Sequence, residues 1–353
     1  MTSIAPPMPS SVQQPDGARS MSFDDAHRAH VGACTPRLDA VVSRRGAPWM
    51  RLGRPAAIAT SLALLAGAAR ADINLDERQS DAYYAARAGA VVGVSGLTIA
   101  AAALLHPDPP APTPSEWLSF DEAMRGRLST SASTASDVTL VTTIFVPLGA
   151  ELASGINTSL ANTSIIYAEV LAANALLNTI VKYSVLRPRP YNYRKPPATE
   201  YVASQGVDAY LSFYSGHSST AFASAISGSY LFSAAHDGSA ASPWLWGTEM
   251  ALATATALWR IRAGKHFYSD VAVGILVGSA IGIGIPLAEG IRYRPTATEM
   301  AFAGGGVLLG GLTAVFAPFD DSLATALRMG PLHVQILPLV TAQRTGLTLR
   351  GDF

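Results

Sequence analysis

Lys182-Tyr-Ser-Val-Leu-Arg-Pro-Arg-Pro190, Tyr214-Ser-Gly-His217 and Arg260-Ile-Arg-Ala-Gly-Lys-His-Phe-Tyr-Ser-Asp270 are three polar clusters in one stretch of the chain, each at the end of an apolar segment. Helices that end in such clusters collect their polar chemistry at one end of a bundle. The clusters hold several cations, two imidazoles, a carboxylate and a flexible Ser-Gly turn. That inventory suits gripping a phosphate and attacking it.

The surrounding sequence sets the solvent. Charged residues make up only 14 % of the 353, against roughly 25 % in an average soluble domain. Mean hydropathy is +0.25. Apolar runs cover Ala88 to Leu105, Val138 to Leu152, Ser164 to Val185, His217 to Ala235, Pro243 to Trp259 and Tyr268 to Ala288. These lengths approach what a membrane-crossing helix needs. They predict an all-α, membrane-embedded bundle whose natural partners are membrane lipids. The formal net charge is zero, so no nucleic-acid partner is implied. Cys34 is the only cysteine, which excludes an internal disulfide and a cysteine-rich metal site.

Outward from this core, residues 1–49 are rich in Pro, Ser, Ala and Arg without apolar period; they read as a disordered or mis-called N-terminal extension. Residues 50–71 read as a signal peptide or an uncut anchor: Arg51 and Arg54 flank the apolar Ala56 to Ala68, and Ala69-Arg-Ala71 is a small-x-small pattern. Residues 72–290 form the helical domain. Ser115 to Leu128 has apolar residues at helical spacing and predicts an amphipathic interfacial helix. Residues 291–353 add an apolar helix, Met300 to Phe319, and a short strand pair, His333 to Val340 with Leu347 to Leu349. Within the third run, Glu169, Asn174 and Asn178 share a helical stripe with Lys182, and interhelical hydrogen bonding is their expected role.

A phosphate monoester carries two negative charges, and its transfer is helped mainly by positioning and electrostatic stabilisation. Lys182, Arg189 and Arg260 supply the charge. A single such residue reads as a cation snorkelling at a helix end; three beside two histidines do not. His266 and Asp270 are four apart at a helix start, which places Asp270 to accept the Nδ1 proton and leave Nε2 as nucleophile. His217 opens a different helix and is the candidate general acid. Ser215 and the amides near Gly216 are candidate phosphate donors at a helix N-terminus. The cations neutralise the phosphate, so no metal and no cofactor is called for.

These motifs, K-x6-R-P at Lys182 to Pro190, S-G-H at Ser215 to His217 and R-x5-H-x3-D at Arg260 to Asp270, resemble in order and spacing the three signatures of the type 2 phosphatidic acid phosphatase and vanadium haloperoxidase superfamily. The resemblance covers residues 85 to 290. It implies a six-helix bundle with its site at one membrane face and a phosphohistidine intermediate on His266. By position it implies that Lys182, Arg189, Ser215, Gly216 and Arg260 hold phosphate, that His217 is the acid, and that Asp270 orients His266.

Two positions depart from that pattern. Tyr214 stands where the family has Pro, and Trp259 where it usually has Ser; the expectation is a narrowed mouth or altered specificity. Arg262 and Lys265 are extra cations, expected to bind a charged headgroup or mark the interface. Function is expected to be metal-independent hydrolysis of a lipid phosphate or pyrophosphate in the inner membrane. Competing readings are a soluble secreted acid phosphatase of the same superfamily, a vanadate-dependent haloperoxidase, and a non-catalytic membrane scaffold. Family members in membranes face the site outward, toward the periplasm in this reading. A cleaved signal before Asp72 would instead place Lys182 inside, while Arg292 and Arg294 after the last run favour the outward site.

Overall fold

Each apolar run becomes a helix, and most begin before their apolar residues do. The computed structural model describes residues 74–104, 118–193 and 199–317, and the backbone of two strands further on. The long helices are α1 (Asp81–Leu104), α2 (Thr130–Ala153) and α3 (Thr158–Val185). The short α4 (Thr199–Gln205) follows, then α5 (Gly216–Ala235), α6 (Ser242–Arg262), α7 (Tyr268–Ala288) and α8 (Ala297–Phe316). The early starts have local causes. The Ser129 side chain accepts from the Ala132 amide and caps α2, so its polar first turns are helical. Asn157 caps α3 in the same way. A reciprocal box between Thr296 and Glu299 starts α8. At its other end α3 stops where Leu186 turns left-handed, two residues before Pro188.

Among the described residues, five helical segments are long and apolar enough to cross a membrane: α1, α2, α7, α8 and the segment Thr158–Tyr193 that contains α3. The chain is therefore an all-α bundle of membrane type. The central helix is α5, which packs on α2, α3, α6 and α7. Its fully buried residues include Ser218, Ser219, Ser224, Ser227, Ser229 and Ser233, and side chains this small let neighbours approach closely. From α7 a stripe of Gly274, Gly278 and Gly282 faces it; a Cβ on Gly278 would lie 2.1 Å from the Ser219 carbonyl oxygen. This backbone-to-backbone contact fixes the start of α7 beside the start of α5. The expected C-terminal helix, α8, packs along α6 with Gly306 and Gly310 against Gly247 and Ala251.

The polar stripe on α3 is used between helices. Glu169 pairs with Arg87 of α1 at 2.6 Å, and Arg87 also bonds Glu289 beyond the end of α7. Asn174 donates to Thr220 Oγ1 at 2.9 Å and Asn178 to the Tyr214 carbonyl at 3.1 Å.

One expectation fails in this region. Of the Ser115 to Leu128 segment the described residues 118–128 hold no α-helix; Ser119–Met124 is a short 3-10 helix. Asp121 is drawn inward to bond Arg187 and Ser269, and Met124 is buried in the core, so the turn docks on the bundle rather than lying along an interface. Strands β1 (Gln335–Thr341) and β2 (Arg344–Arg350) pair antiparallel, with Thr341 opposite Arg344 and Gln335 opposite Arg350. The extension 1–49 and the signal-like segment 50–71 lie outside the described residues.

Candidate active site

The helix ends converge because the loops between them are stitched by backbone hydrogen bonds. Ser215 N–H donates to the Asp270 carbonyl at 3.0 Å, and Ser212 N–H to the Arg187 carbonyl at 2.9 Å. Arg189 N–H donates to Ala209 at 2.8 Å, and Ser129 N–H to Ala263 at 3.2 Å. The three motifs thus form one polar floor at the α3, α5, α6 and α7 ends, with the start of α2 as its wall.

His266 sits on that floor, completely buried. Its Nδ1 lies 2.7 Å from the Ser212 carbonyl, which can only accept. Its Nε2 lies 3.1 Å from Arg189 Nη1, which can only donate. The two partners fix one tautomer: Nδ1 carries the proton and Nε2 presents a lone pair. Burial, then the charges of Arg189, Arg260, Lys182 and His217, hold this imidazole well below the usual histidine range, so it is neutral.

The partner of Nδ1 differs from the sequence expectation. Asp270 Oδ2 is 3.8 Å from Nδ1, beyond hydrogen-bond reach. Its oxygens are taken by Arg187 Nη1 at 2.5 Å, Ser212 Oγ at 2.6 Å and the Phe267 amide at 2.9 Å. Asp270 thus braces the backbone on both sides of the imidazole. Arg187, in the first motif, also bonds Asp121 at 2.9 Å and lies 4.2 Å over the Phe267 ring. Asp121, Arg187 and Asp270 form a buried ionic knot under His266. Reading the first motif only through Lys182 and Arg189 missed it, although Arg187 lies between them.

Around the imidazole the cations are arranged unequally. Arg189 Nη2 pairs with Asp208 at 2.6 Å, and its Nη1 donates to the Lys265 carbonyl at 2.9 Å. Burial works to raise the Asp208 carboxyl, but Arg189 and Lys182 outweigh it and pull it down to about 2. Arg260 reaches from α6 to Ser136 at 3.2 Å and Asp137 at 3.3 Å on α2. The same Asp137 oxygen lies 2.7 Å from His217 Nε2. The Lys182 ammonium makes no hydrogen bond or ion pair among the described residues. A Cβ on Gly216 would lie 3.4 Å from its Nζ and 2.7 Å from Asn178 Oδ1, so only glycine admits both side chains to the α5 N-terminus. An ammonium beside the positive end of a helix is unfavourable until an anion joins them.

Ser215 is placed differently from expectation. Its hydroxyl is buried, caps α5 through the Ser218 amide at 3.3 Å and shares a hydrogen bond with Ser218 Oγ at 2.8 Å. It orients the helix end rather than projecting into the site. Asp137 and Asp208 went unrecognised in the sequence; the one available signal was an isolated carboxylate at the polar start of an apolar run. Tyr214 and Trp259 are both buried, and Trp259 packs with Ala255 and Ala314 against α8. Arg262 donates to the Ala314 and Val315 carbonyls and caps the α8 C-terminus. Among the described residues, no group of three or more His, Cys, Asp or Glu side chains comes together as a metal would require.

The PAP2 superfamily model matches residues 163–293, which contain all three motifs. This agrees with the resemblance carried by the motifs and supports a phosphatase-type hydrolase acting on a phosphate ester. Among curated proteins and among solved structures, no match is found.

Proposed function

From a PAP2 superfamily domain over residues 163–293, we propose that the chain is a lipid phosphate or pyrophosphate phosphatase that works through a phosphohistidine. The observation that carries the proposal is the convergence of Lys182, Arg189 and Arg260 on a neutral, tautomer-fixed His266 beside the N-terminus of α5. Such a surplus of buried positive charge is relieved by a phosphate. The apolar helices favour a substrate delivered from the bilayer.

In the proposed reaction, phosphate oxygens take hydrogen bonds from Lys182, Arg189, Arg260 and the free amides at Gly216 and His217. Arg189 transfers its donor from Nε2 to the phosphate, which frees the lone pair. Nε2 attacks phosphorus in line, the bond to the leaving oxygen breaks, and His217, protonated when the bound phosphate adds its negative charge to that of Asp137, gives that oxygen its proton. Water then attacks the phosphohistidine, His217 takes a proton from it, and the N–P bond breaks to release phosphate. The Ser212 carbonyl holds the Nδ1 proton throughout. Positive side chains neutralise the developing charge, so each step runs on this chain's own residues.

Orientation follows from the same reading. Helix α1 runs from the far face toward the site, where Tyr183 donates to the Ala102 carbonyl at 3.3 Å. Residues 74–80 are therefore on the face opposite the site. A site facing outward in the inner membrane puts them in the cytoplasm, and residues 50–71 then do not act as a cleaved export signal.

The test is phosphate release by detergent-purified protein from a panel of lipid monophosphates, lipid diphosphates and a water-soluble ester. Release from lipids, lost in His266→Ala and insensitive to chelators, supports the proposal. Full activity of His266→Ala, or a strict metal requirement, overturns the mechanism. Preference for the soluble ester overturns the lipid substrate.

A further inference from the structure

Lys265, directly before His266, is an ammonium without a carboxylate. It is buried, and among the described residues no acidic group lies within ion-pair distance of it. Its Nζ donates to Gln205 Oε1 at 3.1 Å, at the end of α4. The Tyr191 and Tyr201 rings flank it, each centroid 5.2 Å away, and the rings meet edge to face. Two aromatic faces and an amide hold the charge in place without neutralising it. Burial and then the charges of Arg189 and Arg260 pull Lys265 down to about 8, which also places its ammonium in the field of the phosphate-facing cations. Arg262, three residues earlier, is different: it is engaged at the α8 C-terminus. One of the two extra cations therefore serves packing, and the other sits beside the site, its carbonyl bonded to Arg189 Nη1.

We propose that Lys265, caged by Tyr191, Tyr201 and Gln205, is a second anion subsite that selects substrates carrying a further phosphate next to the one attacked. The inference rests on the phosphatase reading above and specifies its substrate class. Lys182, Arg189 and Arg260 supply the charge for the scissile phosphate, and Lys265 adds its ammonium on the Tyr191 and Tyr201 side, with its carbonyl bonded to Arg189 Nη1 at 2.9 Å. A second phosphate in that direction replaces the Gln205 contact and supplies the missing negative charge. The chemistry is shared by a diphosphate and by a monophosphate whose headgroup bears a phosphodiester, so both are assayed.

The experiment compares kcat/KM for three substrates with one lipid chain: a diphosphate, a monophosphate with an adjacent phosphodiester, and a plain monophosphate. The proteins are the wild type, Lys265→Met and Lys265→Arg. The expected result is a wild-type preference for one or both two-phosphate substrates. That preference falls about 10- to 100-fold in Lys265→Met, the worth of a hydrogen bond to a charged group, and is largely restored in Lys265→Arg. Which two-phosphate substrate loses most identifies the source of the second group. An equal loss on all three substrates in Lys265→Met, or no wild-type preference, overturns the subsite. A wild type inert on every substrate instead overturns the phosphatase reading.

Discussion

Replacing Asp270 by Asn separates a residue that braces the site from one that bonds the proposed nucleophile, His266. The side chain is fully buried and accepts from Arg187, Ser212 and the Phe267 amide. Asparagine keeps the shape but removes the negative charge opposite Arg187, and its NH₂ must face a donor. Breaking one partner out of a buried ion pair costs about 3–5 kcal/mol. For a domain of this size that lowers Tm by about 10 °C. The rate follows another route. The Nδ1 proton rests on the Ser212 carbonyl at 2.7 Å, and the carboxylate 3.8 Å away has its charge offset by Arg187 at 2.5 Å. The tautomer therefore survives, and the remaining electrostatic loss of about 1.4–2.7 kcal/mol slows turnover about 10- to 100-fold. A carboxylate bonded directly to a catalytic histidine behaves differently, since its Asn variant loses about 10⁴ in kcat with the structure intact. The assay pairs thermal unfolding in detergent with kcat on the best substrate. A loss near 10⁴ with unchanged Tm would falsify the bracing role.

Gly278→Ala drives a Cβ to 2.1 Å from the Ser219 carbonyl oxygen, and overpacking of this kind costs about 1–3 kcal/mol; Gly284→Ala on the same helix meets nothing within 4 Å. Thermal unfolding is expected to separate the two, and equal Tm values would refute the close α5–α7 contact. The pKa of His266 is depressed, so the neutral form persists as pH falls through 6.5 and protonates only further down. Imidazole NMR of the ligand-free protein, with His266→Gln for assignment, is expected to place its midpoint below 6.5; a midpoint at or above that value contradicts the buried cationic setting. In a Cys34→Ser background, Ser204→Cys lies on the site side and Asp237→Cys on the far side. A membrane-impermeant thiol reagent added outside intact cells is expected to label the first and spare the second, and the reverse pattern would place the site in the cytoplasm.

Much of this was legible in the residues themselves, and the gaps have physical causes. The helices are readable because a run such as Tyr268–Ala288 must pair its own backbone in an apolar solvent. Their polar ends are not. In α2 the turns from Thr130 to Asp137 lack apolar periodicity because they face the site, where Ser136 and Asp137 hold Arg260 and His217. The Ser115 to Leu128 pattern gave the opposite error: its apolar spacing was helical, but the described residues 118–128 form only a short 3-10 helix, with Asp121 bonding inward to Arg187.

The order and spacing of the three motifs, within one apolar chain, point by themselves to the helical class, the resemblance to the PAP2 superfamily and the candidate nucleophile, acid and phosphate cations. Those properties depend on side-chain chemistry and on periods of a few residues. Tertiary structure alone decides how the site is wired. Asp137 meets His217 across 80 positions and Arg260 across 123, and Asp121 meets Ser269 across 148. Which carboxylate neutralises which cation, and that the Ser212 carbonyl rather than Asp270 accepts the Nδ1–H hydrogen bond, depends on helix rotation and close approach. Those are set by glycine and serine contacts between α5 and α7, where a shift of one ångström exchanges one hydrogen-bond partner for another.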